Sequence, residues 1–244
     1  MTQLIARLDH ALYPGQDRNW DNALFRNHIL SVLRQEDHIL DLGAGAGIVP
    51  QLNFRGTVQR VCGVDPDERV TTNPYLDDGR QGFGERIPFP DNAFDLVYSA
   101  NVLEHLTNPL AVFAEVNRVL KPNGRFLFKT PNRWHYMPLI AQLTPTRFHK
   151  FFNRLRGRAA EDTFPTRYRA NSNAAIGRLA DRSGFTVKHI RLVEGRPEYL
   201  RFSAPTYLMG AAYERLMNRF DALSTFRIVM IGELEKSAPR RESA

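Results

Sequence analysis

His38-Ile-Leu-Asp-Leu-Gly-Ala-Gly-Ala-Gly47 decides the fold. Ile39, Leu40 and Leu42 make a short apolar run, which suits a strand buried on both faces of a parallel sheet. Glycines follow at 43, 45 and 47, and Ile48, Val49 and Leu52 read as the opening of a helix near 47–54. A strand that turns into a helix over alternating glycines lets a ligand approach bare backbone. The helix N-terminus would add free N–H groups and a favourable dipole. Asp65 closes a second apolar run, Val61-Cys-Gly-Val64, twenty residues after Gly45. A carboxylate there can accept hydrogen bonds from both hydroxyls of a ribose.

A nicotinamide fingerprint requires its third glycine where this chain has Ile48. The spacing Asp41-x-Gly43-x-Gly45-x-Gly47 instead resembles the first motif of the class I S-adenosylmethionine-dependent methyltransferases. Ile87-Pro-Phe-Pro-Asp-Asn-Ala-Phe-Asp-Leu-Val-Tyr-Ser99, Val102-Leu-Glu-His-Leu106 and Arg118-Val-Leu-Lys-Pro-Asn-Gly124 follow in the family's order and spacing. Thr130-Pro-Asn132 and Ser183-Gly-Phe185 extend the resemblance, which runs from about 38 to 192. It implies S-adenosylmethionine as cofactor and a Rossmann-like, mostly parallel seven-stranded sheet whose last strand is antiparallel.

Composition bounds the alternatives. A hydrophobic fraction of 43% supports a real core, and 244 residues suit one domain, 1–244, with insertions. The net charge of +7 favours anionic partners such as acidic lipid headgroups, phosphorylated substrates or nucleic acid. The single Cys62 excludes an internal disulfide and reads as a buried, inert thiol. Met1–Arg7 lacks a basic-then-apolar leader, and no run approaches the ~20 apolar residues that cross a bilayer. The expectation is a cytoplasmic protein that can touch a membrane peripherally.

Along the chain, strands and helices alternate, as in an α/β three-layer sandwich. Residues 1–18 are mixed, and Trp20–Leu33 reads as a leading helix. Residues 66–83 are polar and turn-rich, so no element is assigned there. Phe94–Ser99 is a strand, Asn108–Leu120 an amphipathic helix with Leu110, Phe113, Val116 and Leu120 inward, and Arg125–Thr130 the next strand. Asn171–Arg182 is a helix and Gly184–Leu192 a strand. The family's seventh strand fits Phe226–Ile231, and Thr206–Leu223 is a helix with Leu208, Ala212, Leu216 and Phe220 aligned. Two segments, 132–170 and 195–224, stand outside the family core as a lid or acceptor insertion and a second helical insertion. Within the first, Arg147–Arg158 sets Phe148, Phe151, Phe152 and Leu155 on one helical face, ringed by five Arg and Lys residues.

The resemblance assigns candidate roles. Gly43, Gly45 and Gly47 would let the loop approach the methionine half of the cofactor, and Asp41 would orient the loop or meet the amino group. Asp65, with Pro66 after it, would hold the ribose, or else cap a helix at Asp67-Glu68. The adenine position departs from the family pattern: Phe83 stands where an acceptor Asp is usual. Its ring could stack on adenine, the Gly84 N–H could reach a ring nitrogen, and Glu85 could supply an acceptor. Asn101 lies near the expected reactive centre. Related quinone-biosynthesis enzymes carry a metal-site Glu at that position, so Asn101 argues against a metal there. His105 is the leading catalytic base, with a pKa near 6.5 suited to taking a proton at neutral pH; its alternative is a buttress for the strand. His135, Tyr136 and His149 are further candidates. The leading reading is methyl transfer to a small-molecule or lipid-linked acceptor that is apolar and anionic. The alternatives are a tRNA or other RNA methyltransferase, and a non-catalytic binding protein of the same fold.

Overall fold

The computed structural model describes residues 3–16, 19–143 and 165–237. Strand β1 (His38–Leu42) is buried along its last four residues, as its apolar run requires. It pairs in parallel with β2 (Arg60–Asp65) on one side and β4 (Phe94–Ala100) on the other. β3 (Asp78–Gln81) extends the sheet beyond β2, and β5 (Leu120–Pro131) extends it beyond β4, again in parallel. β6 (Phe185–Val193) and β7 (Val229–Lys236) complete seven strands in the order β3-β2-β1-β4-β5-β7-β6. β7 is the antiparallel strand, and helices flank the sheet, as in a Rossmann-like fold. The strand order reverses between β1 and β4, and open α/β sheets bind ligands beyond the carboxyl ends of strands at such a point.

Six α-helices are described: α1 (Gln3–Leu12), α2 (Trp20–Leu30), α3 (Pro109–Val119), α4 (Tyr136–Leu143), α5 (Asn173–Arg182) and α6 (Ala204–Arg219). The chain divides into two compact units. The larger comprises Asn22–Thr130, Arg167–Arg191 and Ile231–Ala244, and the smaller Met1–Asp21, Pro131–Thr166 and Leu192–Met230.

In the larger unit, α3 starts where Asn108 accepts a hydrogen bond from the Ala111 N–H and Pro109 pre-sets the first turn. Its Phe113 ring meets Phe126 of β5 and Phe185 of β6 edge-on, at 5.5 and 6.4 Å. Leu110 is only half-buried; Val112 takes its expected inward place. Ser172 caps α5 in the same manner as Asn108 caps α3. Cys62 is buried, and burial pushes its thiol up to about 11.

Four elements differ from the sequence reading. No helix follows the glycine turn; Pro50–Leu52 makes a single 3-10 turn instead. Val49 precedes a proline and is held extended, and the carbonyls of Gln51 and Asn53 accept from the Arg26 guanidinium at 2.9 and 2.6 Å. The helix dipole expected at the glycine turn is therefore absent from this fold. Within 66–83, Glu68–Thr72 is a 3-10 helix capped by Asp67, and β3 is a polar edge strand with no apolar residue to announce it. β7 begins three residues later than expected, because Asp221–Phe226 is a 3-10 helix and Gly232 and Glu233 interrupt the apolar run. Finally, α6 buries Tyr207, Gly210, Ala211 and Met217, and leaves Leu208, Ala212, Leu216 and Phe220 exposed.

That inversion has its cause in the smaller unit. Tyr207 and Ala211 pack with Ile5 and Tyr13 in one buried cluster, so α6 turns this face toward α1. A charged network sits beside the cluster. The Asp9 carboxylate accepts from Arg201 and, at 2.8 Å, from the Tyr207 hydroxyl, and Arg196 lies 3.6 Å away. Glu198 takes the other side of Arg196. Two carboxylates thus meet two largely buried guanidinium groups, and each buried charge has a partner. The segments 132–170 and 195–224 fall mostly in this unit, together with α1, which the sequence reading left unassigned. His149 and the basic segment 147–158 lie outside the described residues.

Candidate active site

The carboxyl ends of β1, β2, β3 and β4 build a cradle from the larger unit alone. Gly43, Gly45 and Gly47 all have positive φ, at 87°, 50° and 71°. Their reasons differ. A Cβ on Gly43 would stand 2.2 Å from Val102 Cγ2, and one on Gly47 would stand 2.2 Å from Asn73 Oδ1. These two glycines are required by packing inside the protein. Among the described residues, a Cβ on Gly45 would meet only Asp65 Oδ2, at 4.0 Å, so they leave the face of the loop at Gly45 open.

Asp65 ties this loop down. Its Oδ2 accepts from the Gly45 N–H at 2.9 Å and its Oδ1 from the Asp67 N–H at 2.8 Å. The cap of the following 3-10 helix is Asp67 itself, so Asp65 does not play the expected capping role. Each carboxylate oxygen accepts about two hydrogen bonds, so after these backbone contacts Asp65 keeps capacity for two hydroxyls. Asn73 holds the loop from its other side, donating to the carbonyls of Ala44 and Gly45 at 3.1 and 3.2 Å. The sequence marked Asn73 only as part of a turn; its side-chain role has no signal in spacing or periodicity.

Asp41 is buried in β1, and the Tyr98 hydroxyl lies between its carboxyl and the Leu52 carbonyl. Burial pushes the Asp41 carboxyl up to about 7, with the Asp65 charge adding to the rise and the Tyr98 hydrogen bond opposing it. Its contact with Tyr98 makes it a support beneath the loop. The next strand end brings Phe83 alongside. Asp65 registers with Gln81, the Asp65 carbonyl accepts from the Gly82 N–H at 3.0 Å, and the Pro66 carbonyl accepts from Gln81 Nε2 at 2.9 Å. The Phe83 ring is 66% exposed and follows directly on the Gly82–Asp65 pairing. Gly84 is a packing position, since a Cβ there would press on Val112 at 3.3 Å. Glu85 is exposed.

Across the switch point, Asn101 takes a left-handed conformation (φ 59°) at the end of β4, its N–H bonded to the Lys129 carbonyl at 2.8 Å. The chain then forms the short 3-10 turn Leu103–His105. His105 is half-buried, and its Nε2 stands 4.0 Å from Glu104 Oε1. Glu104 is buried, and its other oxygen accepts from Thr130 Oγ1 at 2.9 Å; Thr130 in turn accepts from Asn171 Nδ2 at 2.7 Å. Burial raises the Glu104 pKa, opposed by the charges of His105 and Lys129. Lys129 is itself wholly buried and donates to Asn22 Oδ1. A histidine at the rim, backed by a carboxylate that is fixed from behind, is an arrangement able to accept and hold a proton. The sequence located His105 but not the Thr130–Asn171 support or the buried ammonium, because neither follows a motif.

His135, in the smaller unit, is fully buried, and its Nε2 lies 3.6 Å from Glu194 Oε2. Burial drives its pKa down to about 3 and that of Glu194 up to about 8. Tyr136 packs on the His135 ring at 4.0 Å. A neutral imidazole sealed in this way is packing for the unit rather than a base open to substrate.

Residues 40–128, the glycine loop through β5, match the family described as a methyltransferase domain. The match marks this stretch as similar to a methyltransferase domain. An uncharacterised methyltransferase of Bacillus subtilis, YcgJ, is 36% identical over 132 residues, half of this chain and 49% of its own length. A demethylmenaquinone methyltransferase of Symbiobacterium thermophilum is 35% identical over 132 residues, 49% of this chain and 51% of its own. The chain thus spans about half the length of these curated relatives. The crystal structure of YcgJ superposes with a TM-score of 0.54 at 20% identity, covering 88% of this chain and 99% of that one, which shows the shared fold. The family's methyl donor is S-adenosylmethionine. The cradle of the methyltransferase domain suits it: an open backbone face at Gly45, two spare acceptors on Asp65 and an exposed ring at Phe83.

Proposed function

We propose that this protein transfers a methyl group from S-adenosylmethionine to a small-molecule or lipid-linked acceptor with an apolar body. The observation that carries the reading is the open face at Gly45 with Asp65 directly behind it. That space is shaped by the chain at the one edge of the sheet where a nucleoside and its ribose would be read.

The donor supplies a methyl group already activated on a sulfonium, so the protein's work is alignment, exclusion of water and proton handling. Gly45 gives close backbone approach, Asp65 accepts from the ribose hydroxyls, and Phe83 offers a stacking face where the family pattern has an acceptor. Pro66 and Gly84 keep this edge in register. Asn101, held left-handed by Lys129, closes the reactive side. His105 takes the proton from an oxygen or nitrogen acceptor at the ring nitrogen away from Glu104, while Glu104, 4.0 Å from Nε2, steadies the charged imidazole.

The smaller unit exposes apolar side chains: Leu208, Met209 and Leu216 of α6, and Phe220 just past its end, are 49%, 68%, 48% and 52% exposed. The relative from Symbiobacterium thermophilum is named for demethylmenaquinone as its acceptor. No described helix is long and apolar enough to cross a membrane. The test is to incubate the protein with methyl-labelled donor and a host extract, then separate organic-soluble, small aqueous, nucleic-acid and protein fractions. Label in the organic or small-molecule fraction supports the reading. Label confined to nucleic acid replaces it with the RNA alternative, and donor binding without any label leaves a binding protein.

A further inference from the structure

Away from the donor cradle, two histidines and a glutamate converge from three elements of the larger unit. His28 lies on α2, His189 on β6 and Glu233 on β7, and one ligand atom from each lies within 4.8 Å of the other two. Glu233 Oε2 is 3.4 Å from His28 Nε2 and 3.8 Å from His189 Nδ1. The imidazole rings stand edge-on, with centroids 4.9 Å apart.

Two facts make this more than a chance grouping. First, His28 Nε2 is buried and has no hydrogen-bond partner among the described residues, although a carboxylate oxygen lies close by. A buried ring nitrogen without a partner costs free energy and calls for an explanation. Second, Glu233 is buried between Ile231-Gly232 and Leu234 of β7, and among the described residues its Oε1 is paired with Arg125 at 3.1 Å. Its second oxygen is turned to the two imidazoles.

We infer that His28, His189 and Glu233 form a site for one divalent transition-metal ion of the zinc class. Imidazole nitrogen and carboxylate oxygen are the donor set such ions take, with metal–ligand distances of about 2.0–2.2 Å. Tetrahedral geometry at those lengths puts donor atoms about 3.3 Å apart. The His28–Glu233 separation of 3.4 Å already meets that, and 3.8 Å for His189–Glu233 nearly does. Only the histidine pair has to close, and the His189 side chain, 47% exposed, has room to swing. A cavity of about 50 Å³ beside Leu24, His28, His189, Arg191 and Ile231 has space for a water as fourth ligand.

The charges nearby cut both ways. Arg125, 3.1 Å from Glu233, and Arg191, which lines the same cavity, repel a cation, while the Glu233 carboxylate attracts one. An ion here would fasten α2 to the two outer strands. It is a structural clamp, distinct from the Glu104-His105 position.

The experiment uses the full chain without a histidine tag, stripped with chelator and dialysed. Zn2+ is titrated against a chromophoric chelator, Co2+ is titrated optically, and melting is followed with and without Zn2+. One equivalent bound, a visible Co2+ ligand-field band and a raised Tm are expected. His189→Ala, at an exposed position, should weaken binding at least tenfold and erase the Tm rise, and the size-conserving His28→Gln should do the same. Absence of stoichiometric binding, or equal affinity in both folded variants, overturns the assignment.

Discussion

Gly45→Ala separates the two reasons for glycine in the loop. The added methyl enters space where the nearest atom is Asp65 Oδ2 at 4.0 Å, so no clash accompanies it. Its cost to folding is the left-handed backbone, about 1–2 kcal/mol for a residue with a Cβ. Gly43→Ala has the same backbone cost, and its methyl also lands 2.2 Å from Val102 Cγ2. Overpacking adds about 1–3 kcal/mol, so this variant should lose about 2–5 kcal/mol in total. Binding should follow the reverse order. If the donor rests against bare backbone at Gly45, the methyl takes its volume, and affinity should fall at least tenfold, about 1.4 kcal/mol. Calorimetric titration with S-adenosylmethionine, alongside denaturant melts of both variants, reads the two effects separately. A folded Gly45→Ala protein that binds the donor as tightly as wild type would refute the assignment of the cradle.

Three further outcomes are expected. Asp65→Asn keeps one acceptor for the loop and loses the charge, so donor binding should weaken by about 1.5–3 kcal/mol in calorimetry; unchanged binding would reduce Asp65 to a loop tie. Asp41 keeps its proton in the folded state up to about 7 but releases it near 3.8 when unfolded, so the native state binds the extra proton between those values. The Asp41 contribution to stability is therefore fullest below pH 4 and is lost as pH rises toward 7, on the order of 4 kcal/mol, and Asp41→Asn should flatten this part of the pH–stability curve relative to wild type. His105→Ala should lower turnover roughly 100-fold with the donor Kd preserved. Equal loss of donor binding or of folding would return His105 to a buttress.

The parallel core was legible because strands buried on both faces leave continuous apolar runs, as at Ile39–Leu42 and Val61–Val64. The starts of α3 and α5 were legible to within two residues, and Asn108 and Ser172 prove to cap them. Errors came where tertiary contact overrode local pattern. The periodicity at Ile48–Leu52 is helical, yet Val49-Pro50 and the Arg26 guanidinium claim that segment. Leu208, Leu216 and Phe220 make the stronger apolar stripe of α6, but the smaller Tyr207–Ala211 face is the one that α1 covers. At the candidate site, Gly45 and Asp65, which one hydrogen bond joins, stand at positions that spacing marked. Asn73, Lys129 and the Thr130–Asn171 pair act through the folded chain, and no linear pattern reports them.

The recognisable stretch and the physically self-sufficient one have different borders. Similarity to the family begins at residue 40, so trimming by resemblance would discard α1 and α2 as dispensable leader. Asp9 is the anion between Arg196 and Arg201, and Asn22 is the acceptor for the buried ammonium of Lys129. Without those two side chains, Arg196 and Arg201 would each lose an ion-pair partner, at about 3–5 kcal/mol for a buried pair broken, and the buried Lys129 would lose a hydrogen-bond acceptor. What looks like a preface to the recognisable stretch is the part that supplies partners to its buried cations.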